Sequence, residues 1–335
     1  MMQLQVQKRF LNRSRLSRGP RIRKEISIFA NSLAKTKIFL ALGHALVYFG
    51  TIVLLAFFFN WITTPWKWLL YPVGALVVAR QMRGLECLVH EASHFNWIRR
   101  PRRLNDISAN FLAAVPMCMT VAGYRQQHLL HHNCYGSYKD PDYVRLTELD
   151  IDNLTSDNST ALIFGIIARF PKYLIGWMKA IGTHPHNIGL WLAWHTVVLS
   201  GFILFLIFIG TPAEKAFHDV LISWVLFWLL PMFFLLPFIR FVGEINEHAY
   251  PSSDCSNVET LFSTTITNHG FLHKLLIHPT GDGYHLAHHL FPSVPGWKLR
   301  IMHNHMIDLD PALRAQILER RTLSLRRLNR PKADF

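Results

Sequence analysis

Tyr284-His285-Leu286-Ala287-His288-His289-Leu290-Phe291-Pro292 carries three histidines at i, i+3 and i+4, a spacing that stacks their imidazoles on one face of a helix. The same His-x-x-His-His pattern occurs once earlier, as His128, His131 and His132, and His90 and His94 make a looser i, i+4 pair. With 19 histidines in the chain, one triplet is within reach of composition. Two identical triplets have a chance on the order of one in several hundred. Eight imidazoles on three helical faces therefore read as a ligand set. Imidazole suits zinc, copper and iron, and eight exceed what one tetrahedral ion takes, so the spacing predicts a two-metal site.

The rest of the chain has to hold such a site. Of the 335 residues half are apolar, with 24 Phe and 10 Trp, and several apolar runs are long enough to cross a bilayer. The net charge of +14 would suggest nucleic acid in a soluble protein, but the basic residues flank apolar runs and so face anionic headgroups. Nucleic acid is excluded as a partner on that ground. Cys87, Cys118, Cys134 and Cys255 show no Cys-x-x-Cys pairing and read as reduced packing residues.

Taken in order, residues 1–36 form a basic arm without a signal peptide's early apolar core. Residues 37–300 form one membrane domain with spans at about 38–59, 68–89, 188–209 and 220–242, and 301–335 form a basic tail. The stretch 107–122 is expected to dip into the interface and return. The stretch 161–178 is apolar but holds Arg169 and Lys172, which fits a helix lying on the membrane. Four spans in two hairpins put both termini on one side. The loops 60–67 and 211–218 hold one lysine each against ten Lys plus Arg in residues 1–37, which places the termini and all the histidine clusters in the cytosol. A fifth span at 161–178 would separate His132 from His248. The expected fold is thus an all-α integral membrane protein, four transmembrane helices beneath a cytosolic helical cap that holds the histidine-rich site.

His90-Glu91-Ala92-Ser93-His94 also reads as His-Glu-x-x-His, the pattern of a zinc protease with Glu91 as general base. That reading leaves both triplets without a purpose, whereas a two-metal site uses them all. His44, His184, His186, His195, His218, His303 and His305 read as structural or surface residues. His269, His273 and His278 lie close to the last triplet but share no helical face with it.

Together, His90-x-x-x-His94, His128-x-x-His131-His132, Glu247-His248 and Tyr284-His285-x-x-His288-His289-x-x-Pro292 resemble the membrane fatty-acid desaturase and hydroxylase superfamily, over about residues 38–300. The resemblance implies two non-haem irons held by His90, His94, His128, His131, His132, His248, His285, His288 and His289. It implies dioxygen as co-substrate and removal of hydrogen from an unactivated C–H bond, most simply to desaturate a fatty acyl chain, with hydroxylation of a lipid or small metabolite as the alternative. Some relatives place an Asn four residues before the isolated histidine, where this chain has Glu244, which is thereby a water-bridged or supporting candidate; Asp142 and Asn268 are candidates for orienting ligand imidazoles. The chain contains no flavin or nicotinamide fingerprint and no His-Pro-Gly-Gly haem loop. Electrons are then expected from an external carrier of ferredoxin or cytochrome type, docking on the basic cytosolic face. The run Gly281-Asp282-Gly283-Tyr284 leaves open a subfamily with a smaller, non-lipid substrate.

Overall fold

The computed structural model describes residues 20–35, 38–151, 154, 159–250 and 258–321. Most of the basic arm (1–19), the end of the basic tail (322–335) and Cys255 lie outside the described residues.

Helix α1 (Pro20–Leu33) begins on a proline, whose fixed φ suits a first helical turn. Cations from elsewhere hold its end: Lys298 Nζ donates to the carbonyls of Leu33 and Lys35 at 2.9 Å, and Arg99 Nε to that of Ala34 at 2.7 Å. Helices α2 (Ile38–Trp61) and α3 (Lys67–Ser93) form a hairpin. α2 is apolar all round and buries only the stripe Ala41, Ala45, Tyr48, Ile52 and Phe59. Phe39, Leu46, Val47, Leu54 and Phe57 face outward, a surface suited to lipid. A Cβ on Gly84 would lie 2.5 Å from the Tyr48 ring, so glycine is what lets the two helices approach so closely. The 27 residues of α3 extend about 40 Å, and every side chain from Leu85 to Ser93 is buried.

Helix α4 (Arg102–Ala109) runs on through a π turn (Asn110–Ala114) and a 3-10 turn (Val115–Met117). Cys118, at φ 57, ends it, and α5 (Val121–Cys134) departs at 86°. The chain thus turns back where the sequence led us to expect a dip. A short α6 (Pro141–Glu148) is capped by Asp140 with proline at its first position. Thr183 and His184 alone separate α7 (Ser159–Gly182) from α8 (Pro185–Phe208). Helix α9 (Ala213–Trp224) continues through two π turns, Val225–Leu229 and Pro231–Leu235, into α10 (Leu236–Glu247), one column of 35 residues. Pro231 and Pro237 cannot donate to the preceding turn, which accounts for the widened helix around them.

Beyond α10 come α11 (Val258–Thr264), strand β1 (Ile266–Asn268), α12 (His285–Leu290), α13 (Gly296–Leu309) and strand β2 (Leu318–Arg320). The two strands pair in parallel, Ile266 opposite Leu318 and Asn268 opposite Arg320, so the fold is mostly but not wholly helical.

Among the described residues, four helices are long and apolar enough to cross a bilayer: Ile38–Trp61, Thr160–Gly182, Pro185–Phe208 and Ala213–Glu247. Three of these overlap the spans expected at 38–59, 188–209 and 220–242. The expected span at 68–89 falls in α3, which is not among the four because its second half carries Arg80, Arg83, Glu86 and Glu91. The fourth qualifying helix is α7, which the sequence reading laid on the surface. Among the described residues two large apolar cores result, beside a small cluster of Ala249, Ile266 and Leu318. One joins α2, α3, the α4–α5 bend and the α9–α10 column; the other joins α1, α6, α12 and α13 to the cap.

Candidate metal centre

The seam between those cores collects the histidines. The buried end of α3 delivers His90 and His94, α5 delivers His128, His131 and His132, and α12 delivers His285, His288 and His289. His248 follows α10 directly. All nine imidazoles predicted as ligands meet here, in two sets. Nε2 of His90 and His288 lie 3.0 Å apart, those of His94 and His128 2.9 Å, and Nε2 of His132 is 3.0 Å from both His128 and His288. In the second set Nε2 of His289 is 3.2 Å from His131 and 3.3 Å from His285, which is 2.9 Å from His248. Ring nitrogens of His90, His94, His128 and His288 all lie within 4.8 Å of one another, as do those of His131, His248, His285 and His289.

These distances fit shared metal ions. Nitrogens at about 2.0–2.1 Å from one ion sit roughly 3.0–3.4 Å from each other in tetrahedral or octahedral arrangements. Without a cation, rings that already hold their proton on Nδ1 would face each other lone pair to lone pair. His131 is such a ring, since its Nδ1 donates to Asp140 at 2.9 Å. Most protonation states agree: burial and neighbouring imidazoles hold His288 and His289 well below the ordinary range, and burial, against the pull of the Glu247 carboxylate, brings His285 down to about 4; at His131 burial is outweighed by the Asp140 and Asp142 carboxylates, which bring it up to about 9. Neutral imidazole is the form that binds a metal.

The surroundings aim the rings. Asp140 is fully buried and also accepts from the amides of Gly136 and Asp142 at 2.8 and 2.9 Å and from the Tyr250 hydroxyl at 3.1 Å. It orients a ligand imidazole, the role for which Asp142 was a candidate; Asp142 itself stands 3.7 Å from His131 and pairs with Arg145 at 2.5 Å. The Tyr135 hydroxyl, one residue past α5, lies 3.1 Å from Nδ1 of His248, and no spacing in the sequence announces it. Asn268 bonds the carbonyl of Asn246 at 2.6 Å, tying β1 to α10. Glu244 accepts from Arg240 Nε at 2.8 Å and from Arg145 Nε at 3.0 Å, one guanidinium on each oxygen. His269 pairs with Glu319 at 3.3 Å, outside both sets, and His303 reaches the same carboxylate at 3.3 Å. Glu91 is unsuited to the role of protease base: it is wholly buried, and one oxygen accepts from Asn96 Nδ2 and from the amide of Gly296, both at 3.0 Å.

The profile of the family described as "Fatty acid desaturase" matches residues 66–321, most of the chain. The chain belongs to the fatty acid desaturase family. The chain is similar to "Dihydrorhizobitoxine desaturase" of Bradyrhizobium elkanii, 26% identical over 239 residues, 70% of this chain and 66% of that protein. It is also similar to "Omega-3 fatty acid desaturase, chloroplastic" of Ricinus communis, 23% identical over 299 residues, 81% of this chain and 58% of the relative. A third relative, "sn-1 acyl-lipid omega-3 desaturase (ferredoxin)" of Nostoc sp. (strain 36), is 22% identical over 245 residues, 70% of this chain and 66% of its own length. The chain thus spans just under two thirds, or less, of these relatives.

In this desaturase-family chain a cavity of about 690 Å³ opens beside the two sets. His90, His128, His131 and His285 form part of its wall, the bend at Met117–Thr120 another part, and α7 from Tyr173 to Ile181 a third. His184, at the turn after α7, also reaches it.

Proposed function

We propose that the chain is an O2-dependent, non-haem di-iron desaturase acting at an unactivated C–H pair. His90, His94, His128, His132 and His288 would hold one iron, and His131, His248, His285 and His289 the other. The observation that carries the reading is the approach of their Nε2 atoms to 2.9–3.3 Å in two separate sets. When bound, the iron pair supplies the dioxygen activation that breaking such a C–H bond requires. In the overall balance the substrate gives up two hydrogens with their electrons, a donor protein gives two electrons, solvent gives two protons, and dioxygen leaves as two waters.

The chain's own residues do the rest. Burial lowers the basicity of His94, His128, His132, His248, His285, His288 and His289, Asp140 and Tyr135 aim His131 and His248, and the cavity, partly walled off, limits the water that reaches the reacting carbon. The electrons come, in this reading, from a ferredoxin- or cytochrome-type donor that docks on the basic cytosolic face, as the name of the Nostoc relative suggests. Desaturation over hydroxylation is favoured by the relatives' names, all desaturases. Those names divide between acyl lipids and dihydrorhizobitoxine.

The membrane arrangement belongs to the same proposal: residues 37–300 as the membrane domain, with the 1–36 arm, the 301–335 tail and the metal centre cytosolic. α7 lies along the cytosolic face in this reading. Its Leu162 and Ile166 pack in the cap core with Leu146 and Leu149, while its far end walls the metal cavity, so both ends meet the same side of the protein.

Purified in mild detergent without chelator, the protein should carry close to two irons per chain, and His289→Ala should lower that number. Turnover should need dioxygen and an external reductant. One zinc per chain, with dioxygen-independent activity, would overturn the assignment.

A further inference from the structure

Tyrosines stand against the second histidine set. The Tyr250 ring stacks on the imidazole of His248, with centroids 5.0 Å apart and planes 24° from parallel. Tyr143 meets Tyr250 edge to face at 5.2 Å. Tyr250 is only 2% exposed, whereas Tyr143, on α6, is partly exposed. Contiguous rings thus run from a proposed iron ligand to the surface of the cap in two steps. Tyr124, the phenol beside His90 and His128, lines the cavity instead.

Packing alone does not ask for a phenol at position 250. Phenylalanine would fill nearly the same volume, and a buried hydroxyl has to find a partner. That of Tyr250 donates to the Asp140 carboxylate at 3.1 Å. A phenol bonded to a carboxylate gives up an electron readily, because an oxidised phenol is a strong acid and its proton can move along the existing bond as the electron leaves. An oxidant able to break an unactivated C–H bond is strong enough to take that electron. With no substrate in the cavity, the groups left within its reach are this phenol and the ligands themselves.

We propose that Tyr250 and Tyr143 form an escape route that carries oxidising equivalents from the metal centre to the cap surface when substrate is absent. This rests on the desaturase reading above. Electron transfer falls off steeply with distance, so two ring-to-ring steps outpace one long jump. In the first step Tyr250 passes one electron through the His248 ring to the oxidant and its phenolic proton to Asp140. In the second, Tyr143 passes an electron to Tyr250, which recovers its proton from Asp140, and Tyr143 releases its own proton to solvent. An external one-electron reductant and a solvent proton then restore Tyr143. Each passage moves one electron inward and leaves both tyrosines as they were, while solvent supplies the protons that turn dioxygen into water.

Rapid-freeze-quench EPR tests the route on the iron-loaded protein in detergent, reduced with dithionite, freed of excess reductant and mixed with dioxygen without substrate. A tyrosyl radical should appear, and its hyperfine splitting should collapse when the protein is made with ring-deuterated tyrosine. Tyr250→Phe should abolish the signal. Tyr143→Phe should keep it and, with ascorbate present, prolong it, since the exposed ring that ascorbate reaches is gone. Iron content should stay at the wild-type level in Tyr143→Phe, so this variant keeps the test decisive even if Tyr250→Phe holds less iron. A radical with the same lifetime in the wild type and in Tyr143→Phe would overturn the proposal. So would the absence of any tyrosyl radical in a protein that holds two irons and consumes dioxygen, and that outcome would leave the desaturase reading intact. A chain that takes up no iron would remove both.

Discussion

At the scale of single residues, the centre depends on what stands behind each imidazole. Asp140 does two jobs: it caps α6, and the same oxygen receives the Nδ1 proton of His131 at 2.9 Å. Asp140→Asn keeps the shape but replaces a charged acceptor by a weaker, orientable amide. Loss of such a partner typically lowers metal affinity about 10- to 100-fold, so chelator titration should show one of the two proposed irons leaving at correspondingly lower chelator. Asp142→Asn should do far less, because Asp142 is a third exposed, pairs with Arg145 and stands 3.7 Å from the ring. Equal retention in both variants would mean that His131 is aimed by something else. The histidines were legible in the sequence because i, i+3, i+4 spacing is itself the geometry of a helical face. The supporting acid was not. Asp140-Pro141-Asp142 offers two carboxylates, and only the capping geometry, in which Asp140 folds back over the helix start, decides between them.

Among the elements, the last histidine triplet depends on the loop that feeds α12. Gly283 accepts at its carbonyl from the Asn268 amide at 2.7 Å, and a Cβ there would sit 2.1 Å from the Asn268 carbonyl oxygen. Backbone cannot yield as a side chain can. Gly283→Ala should therefore push β1 and α12 apart, cost roughly 1–3 kcal/mol and lower iron content, measured by thermal unfolding and metal analysis. Gly201→Ala in α8 meets nothing within 4 Å and should stay within about 1 kcal/mol of wild type while keeping its iron. If both variants behaved alike, packing around α12 would not be what sets the triplet. The run Gly281–Tyr284 drew notice in the sequence, but the close approach of β1 did not, since three-residue strands carry too little periodicity to read. The π turns of the α9–α10 column were equally hidden, although Pro231 and Pro237 mark the place.

Across the whole molecule, hydropathy and site geometry disagree about two helices, and the disagreement has one physical source. α3 must end among the histidines, so its second half carries Arg80, Arg83, Glu86 and Glu91, and its hydropathy falls for functional reasons. α7 is apolar enough to cross, yet Leu162 and Ile166 bury against the cap and Tyr173 to Ile181 wall the cavity, so one face of it packs on protein while Ile163, Phe164, Ile167 and Ile175 face outward, as a helix half-sunk in lipid would present them. Length and composition cannot separate a helix that crosses lipid from one that roofs a cavity at its edge. Side-specific labelling can. In a background with the native cysteines replaced, single cysteines at Asp150, Glu214 and Asn304 report the loop before α7, the α8–α9 turn and the cap; the side chain of Asp150 is 56% exposed, and Glu214 and Asn304 are exposed too. If α7 lies on the surface, two crossings separate 150 from 304 and both label from the cytosolic side, with 214 opposite. If α7 crosses, three separate them and 150 parts from 304. That outcome would leave the triplet of α5 and the triplet of α12 on opposite faces of the membrane, where no common centre could form. We expect 150 and 304 to label together.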